Sequence, residues 1–343
     1  MRKLVLLAFG GSALFSWPAL AQNSLLLPTD NRALFEQPAE FFQFVDRTFE
    51  GEKTTPWEGG QFGFVRDPRR IGSRIAYAKF HEGLDIKPLK RDAHGNPQDE
   101  VRAIADGVVV YASAAANLSN YGRYIVVQHD WGQGPFCSLY AHLGSAGVSA
   151  GQRVKAGAPL GILGYTGSGI DQRRAHVHVE LNLYLSSRFE AWHATNFTTP
   201  NHHGVFNGLN LIGLDLQTLY LAQQKNPATS AAGAVRATES GYRVAVPGNA
   251  EMEIVKNYPW LLDGPRLAGK PASWEVTFSR WGLPLAVKAS NMAVSQPVVT
   301  WVKDAGIPHY THTRGCVTGS GSTGKLTAEG LRFVTLVCGW FSP

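Results

Sequence analysis

The chain has 343 residues, 44% of them hydrophobic, and a formal net charge of +6. That length and composition suit a globular protein with one large domain or two ordinary ones. No Lys/Arg-rich run with interleaved aromatics appears, so the basic surplus points to an anionic surface and away from nucleic acid.

Taken in order, the chain opens like a secretory leader over residues 1–21. Arg2 and Lys3 are followed by an apolar run over 4–15 and then by Ala19-Leu20-Ala21, a small-residue cleavage site. A membrane anchor is the rival reading, but the run is short and ends at Trp17-Pro18. Cleavage removes two cations and no acid, leaving +4, and no later stretch approaches a membrane span. Export, to periplasm or extracellular space, places the three cysteines in an oxidising compartment. Cys316 and Cys338 bracket a glycine-rich loop and are expected to pair. Cys137 alternates with Leu139, Ala141 and Leu143, so it is expected buried and free.

Residues 22–58 combine helix formers with aromatics and predict a partly helical N-terminal segment. Over 59–225, short β-branched runs separated by glycine turns predict a mainly β, antiparallel domain, with its clearest strands at 108–111, 124–127, 138–141 and 176–183. The repeat Val148-x-x-Gly151-x-x-Val154-x-x-Gly157-x-x-Leu160-Gly161 also occurs in biotin- and lipoate-carrying domains, but Lys155 is not at an evident hairpin tip, so the stretch reads as scaffold. The later part of 207–224 reads as a helix closing the domain, and 226–234 as a linker. Residues 235–343 predict a second, smaller β-rich domain with strands at 274–278, 298–302 and 331–341. Its Trp274, Trp281 and Trp301 either fill its core or serve wall or substrate targeting.

The chemistry concentrates in Ala175-His176-Val177-His178-Val179-Glu180-Leu181. On a strand, successive side chains point to opposite faces, so His176, His178, Glu180 and Asn182 share one face and the valines and leucines the other. Two imidazoles roughly 6–7 Å apart along a strand divide into one ligand and one proton-handling group. Upstream lies His81-Glu82-Gly83-Leu84-Asp85. On a straight strand His81 and Asp85 would stand roughly 13 Å apart, and Gly83 is expected to permit the bend that joins them. His81, Asp85 and one of His176 or His178 would supply the three protein ligands of a catalytic zinc site.

Other candidates read as structural. His202-His203 is expected in a polar loop, His94 in a turn, and His129 at a strand end facing solvent or capping; His309 and His312 lack a nearby acidic partner. The stretch 319–325 copies the glycines and lysine of a phosphate-binding loop, but Leu326 stands where Ser or Thr would hold magnesium, so a flexible loop is expected.

The segments His81-x-Gly83-x-Asp85, Val101-x-Ala103-x-Ala105-Asp106-Gly107-Val108-Val109, Tyr140-Ala141-His142-Leu143, Gly164-x-Thr166-Gly167 and His176-x-His178-Val179-Glu180 resemble, in order, the lysostaphin/LytM-type zinc metallopeptidases of family M23. The resemblance implies one zinc per chain held by His81, Asp85 and His178. It makes His142 and His176 the catalytic groups, and zinc-activated water the attacking species on peptide bonds of peptidoglycan cross-links or stem peptides. His142, placed on the Tyr140 face of its strand, is expected to look into the same groove. Many relatives of this fold have lost ligands and only bind or activate partners. The alternatives are therefore a non-catalytic wall-binding or amidase-activating module, and a secreted peptidase acting on proteins. Some family members are blocked by an asparagine from the N-terminal segment, for which Asn23 and Asn31 are candidates.

Overall fold

A computed structural model describes residues 24–45, 48–53, 56–265 and 269–341. The expected leader and Asn23 lie outside these residues. The fold is mainly β, with every strand pairing within its sheets antiparallel. The main sheet runs Arg153–Val154, Gly107–Ala112, Ile125–Asp130, Pro135–Ala141, Val177–Tyr184 and Leu211–Gly213 in spatial order. Leu84–Ile86 also pairs with the first half of Val177–Tyr184, beside the stretch that Leu211–Gly213 covers. The four strands read from glycine-bounded β-branched runs therefore all exist, and they form the centre of the sheet.

Alternation decides the two faces. Val177, Val179, Leu181 and Leu183 are fully buried in the main core, while His178, Glu180 and Asn182 face the other way. Outside the sheet, the long hairpin Gly63–Ile71 with Arg74–His81 stands as a separate pair and delivers His81 at its end. The repeat at 148–161 builds small strands, and Lys155 pairs with Asp106 at 2.7 Å instead of capping a tip.

The C-terminal region forms a four-stranded sheet in the order Pro284–Ser290, Ser273–Phe278, Tyr242–Pro247, Val298–Val302. Three expectations change here. Residues 231–234 belong to the helix Ala231–Ala237, capped by Ser230, and Ala231, Ala232 and Val235 are buried; small residues here permit close packing and do not mark a free linker. Residues 328–338 form the helix Ala328–Cys338 instead of a strand. Its buried Gly330, Val334, Val337 and Cys338 recur at helical spacing, Thr327 caps its start, and Gly339 ends it at φ 62°. Residues 319–325 lie in a β-hairpin, Val317–Ser320 with Thr323–Leu326, where a flexible loop was expected.

All three cysteines are buried and free. The expected Cys316–Cys338 bridge fails on geometry. Gly330 of the C-terminal helix packs on the Cys316 backbone, and Cys338 lies eight residues further on, about 12 Å along the axis at 1.5 Å per residue. A disulfide spans Cα atoms only about 4.4–6.8 Å apart.

The two sheets share one continuous buried cluster from Leu25 to Cys338. Trp281 is part of that junction: it stacks on Phe80 with centroids 5.6 Å apart, and its Nε1–H donates to the Gly213 carbonyl at 2.9 Å. Trp274 packs against the core as well, and of the three tryptophans considered for targeting, Trp301 alone is exposed. No helix among the described residues is long and apolar enough to cross a membrane.

Candidate metal centre and its groove

Three strands bring the cluster together. His178 lies opposite Asp85 in one pairing of its strand and opposite Ala141 in the other, so His178 and Asp85 are cross-strand neighbours on one face. His81 arrives from the end of the long hairpin. Gly83 links these elements at the expected bend, and close approach adds a second reason for glycine there. Its φ is not positive, but a Cβ there would lie 2.5 Å from the Val179 carbonyl oxygen and 2.9 Å from His178 Cε1. Only glycine lets the segments carrying Asp85 and His178 approach this closely.

The resulting triangle is tight. His81 Nε2 and His178 Nδ1 are 3.0 Å apart, His178 Nδ1 and Asp85 Oδ1 2.9 Å, and His81 Nε2 and Asp85 Oδ1 3.0 Å. Ligands of a tetrahedral zinc at 2.0–2.1 Å would be separated by about 3.3 Å. Backbone and side-chain partners hold the outer ring nitrogens. His81 Nδ1–H donates to the Gln61 carbonyl at 2.7 Å, and His178 Nε2–H donates to Glu180 Oε1 at 2.8 Å. Both remaining nitrogens are thereby directed at the same point as Asp85 Oδ1, which is the arrangement of imidazole ligands oriented by outer-shell acceptors. Glu180 is itself fixed by Tyr121 and Asn182, whose donors lie 2.7 and 2.9 Å from its oxygens. The donor set fits a divalent metal of zinc's preferences.

Electrostatics supports the same fit. Burial alone would lower the His178 pKa, but its hydrogen bonds to Asp85 and Glu180 push it up to about 10. Burial works against the Asp85 carboxylate, yet the surrounding His81, His176 and Arg66 hold it well below the usual range. These hydrogen bonds favour a protonated His178, whose Nδ1 faces His81 Nε2 and Asp85 Oδ1.

His142 and His176 join the group. Their rings are 4.7 Å apart, and His142 lies 5.8 Å from the His178 ring. His176 Nδ1–H donates to the Arg174 carbonyl at 2.7 Å and its Nε2 lies 3.4 Å from Asp85 Oδ1, while His142 Nδ1–H donates to the Thr166 carbonyl at 2.9 Å, leaving the His142 Nε2 for the groove. Burial holds the His142 pKa well below its usual value, so the ring is neutral at neutral pH. The strand-face argument for His142 is corrected: Tyr140 points into the main core, as its alternation with Ala141 requires. His142 follows the strand in a left-handed conformation, φ 62°, which turns its ring out into the groove.

The groove has a volume of about 570 Å3, and all five of these residues line it. Sequence reasoning missed two of its members. Arg66 grips Asp85 Oδ2 at 2.5 Å through Nη2, leaving Oδ1 to the triangle, and Tyr121 supports Glu180. Neither sits in a recognisable local pattern; both arrive from separate segments.

Asn31 does not reach the groove, since its side chain donates to the carbonyls of Glu40 and Lys87 at 3.3 Å each. His129, expected at the surface, is fully buried between the Asp106 carbonyl and the Ser138 hydroxyl, both at 2.8 Å. His203 is buried against Tyr111, while His309 and His312 are buried side by side with nitrogens 3.2 Å apart. Among the described residues, His81, Asp85 and His178 form the one group of three or more such side chains whose ligand atoms all lie within 4.8 Å.

The model of peptidase family M23 matches residues 79–188, the stretch that carries all five groove residues. The chain carries a peptidase family M23 domain. Within it, 82 residues are 42% identical to the murein hydrolase activator EnvC of Escherichia coli, covering 24% of this chain and 17% of that protein. The murein hydrolase activator NlpD of Escherichia coli is 38% identical over 88 residues, covering 26% of this chain and 20% of its own length. The chain therefore spans no more than a fifth of either relative. Among solved structures, the catalytic domain of lysostaphin from Staphylococcus simulans is similar at 27% identity, covering 35% of this chain and 76% of that one, with a TM-score of 0.25.

Proposed function

We propose that the M23 domain is an exported zinc endopeptidase acting on peptide bonds of peptidoglycan. The observation that carries this reading is the triangle of His81 Nε2, Asp85 Oδ1 and His178 Nδ1, each edge 2.9–3.0 Å. In this reading these three side chains hold the metal and Glu180 and the Gln61 carbonyl orient the two imidazoles. When bound, zinc supplies a Lewis acid that polarises a carbonyl and lowers the pKa of water. His142 presents its Nε2 to the groove and His176 holds its Nε2 beside Asp85 Oδ1; one takes the proton of the attacking water and the other donates to the departing amine or the carbonyl oxygen. The expected leader and the murein-related names of EnvC and NlpD support an envelope location outside the cytoplasm and wall peptides as partner.

A second reading follows from those same names: a non-catalytic domain that activates murein hydrolases. Purified chain loaded with zinc separates the two. Digestion of sacculi with release of peptide fragments, seen by mass spectrometry and abolished in His178→Ala, is the expected result. Wall binding without fragments at one metal per chain would favour the activator, and fragments from the His178→Ala protein would sink the proposed ligand set.

A further inference from the structure

The C-terminal region has a place at the groove. A second cavity of about 380 Å3 adjoins the one over the histidines, and Asp67, Lys79 and Glu82 line both. The far wall of this second cavity comes from the C-terminal region, through Tyr310 and Arg314. Arg314 Nη2 donates to Glu82 Oε1 at 2.5 Å, and Glu82 directly follows His81 in the chain. The Arg314 guanidinium also lies over the Phe80 ring, 5.1 Å from its centroid. Arg314 holds a left-handed backbone, φ 53°, a conformation that a non-glycine residue keeps only where its surroundings impose it.

This wall is fixed relative to the metal centre. Trp281 stacks on Phe80 and is hydrogen-bonded to Gly213, and Arg74 of the hairpin donates to the Gly306 carbonyl at 3.0 Å. The charges along the joined groove do not cancel. Its acids are each engaged: Asp85 by Arg66, Asp67 by Arg69 and Glu82 by Arg314. Arg174 rests on a carbonyl, that of Gly169, and exposed Lys79 makes no ion pair among the described residues. The joined groove therefore carries two uncompensated positive charges before any metal enters. Arg314 uses one of its five N–H donors on Glu82, and Tyr310 stands 56% exposed beside it.

We propose that the C-terminal region completes the substrate groove as a carboxylate-recognising subsite: Lys79 and Arg314 bind a free carboxylate of an extended peptide whose adjoining residue packs on Tyr310. This rests on the reading that the groove takes a peptide. A guanidinium with free donors and a mobile ammonium form charge-assisted hydrogen bonds to carboxylate, stronger than those an amide offers.

Three labelled peptides test it by fluorescence anisotropy with the full chain at low salt. They are tetraalanine with a free C-terminus, Ala-Glu-Ala-Ala amide and Ala-Gln-Ala-Ala amide, so a terminal and a side-chain carboxylate are distinguished from each other and from a neutral control. At least one carboxylate peptide is expected to bind about tenfold more tightly than the neutral one. Lys79→Gln and Arg314→Gln should each shrink that ratio, and Arg314→Lys should restore part of it. Lys79 is exposed, so its variant reports even where an Arg314 variant fails to fold. Equal binding of the three peptides, or a carboxylate preference that survives Lys79→Gln and the folded Arg314 variants, overturns the proposal. Hydrolysis is followed separately. A carboxylate preference without cleavage refutes the peptidase reading and leaves the subsite standing; cleavage without the preference does the reverse.

Discussion

His178 Nδ1 lies 2.9 Å from Asp85 Oδ1 and 3.0 Å from His81 Nε2, so one position serves either a proton or a metal. Burial opposes the charge on His178, but Asp85 and Glu180 raise its pKa to about 10. The raised pKa predicts that a metal binding at neutral pH displaces that proton. Titration with zinc is expected to release about one proton per ion and to strengthen about tenfold per pH unit between pH 6 and 8. Calorimetry in two buffers of different ionisation enthalpy checks this. A heat independent of buffer would mean that His178 is neutral in the metal-free protein. The residue types were legible in sequence, because His-x-Gly-x-Asp and His-x-His are local patterns. The outer partners were not: Arg66, Tyr121 and the Gln61 carbonyl reach Asp85, Glu180 and His81 only through chain reversals, which leave no local spacing to read.

Among the elements, the strand Val177–Tyr184 could be read from alternation alone, since one face is wholly apolar and the other polar. The helix Ala328–Cys338 could not. Its β-branched Val334, Thr335 and Val337 suit a strand, and burial at helical spacing against the second sheet outweighs that preference. The turn at His142 was equally hidden, because a left-handed residue without glycine carries no propensity signal. Gly83 shows an element-scale requirement with a direct test. In Gly83→Ala the new methyl meets the Val179 carbonyl oxygen and the His178 ring. Overpacking should cost about 1–3 kcal/mol and push the two ligand segments apart. A thermal melt and a zinc titration should both weaken; an unchanged melt with unchanged zinc affinity would show that the strands tolerate a wider gap.

At the scale of the whole molecule, one buried cluster joins both sheets, so a local loss is felt as a loss of global stability. His129 provides the lever. Burial outweighs the attraction of Asp106 and pushes the His129 pKa down to about 4 from 6.5. A base with a depressed folded pKa binds its proton more readily when unfolded. Its neutral form thus supports the fold fully above pH 6.5, and that support is lost as the pH falls toward 4. The share is about 3 kcal/mol, from 1.36 kcal/mol per unit of pKa difference. Urea denaturation at pH 7.5 and pH 4.5 should show the decline, and His129→Gln should lessen it; an equal decline in the variant would assign it to other groups.

The sequence alone determined the β character of residues 59–225 and the identity of the five groove side chains, because alternation, glycine turns and short ligand motifs are local and survive reading in one dimension. Tertiary structure decided how those side chains meet. It replaced the expected disulfide with a packed helix, turned His142 by a left-handed residue, and set Arg66 on Asp85. It also laid the C-terminal region beside His81 through Glu82 and Arg314. These outcomes depend on contacts between segments up to 232 residues apart, which close packing selects and no local pattern encodes.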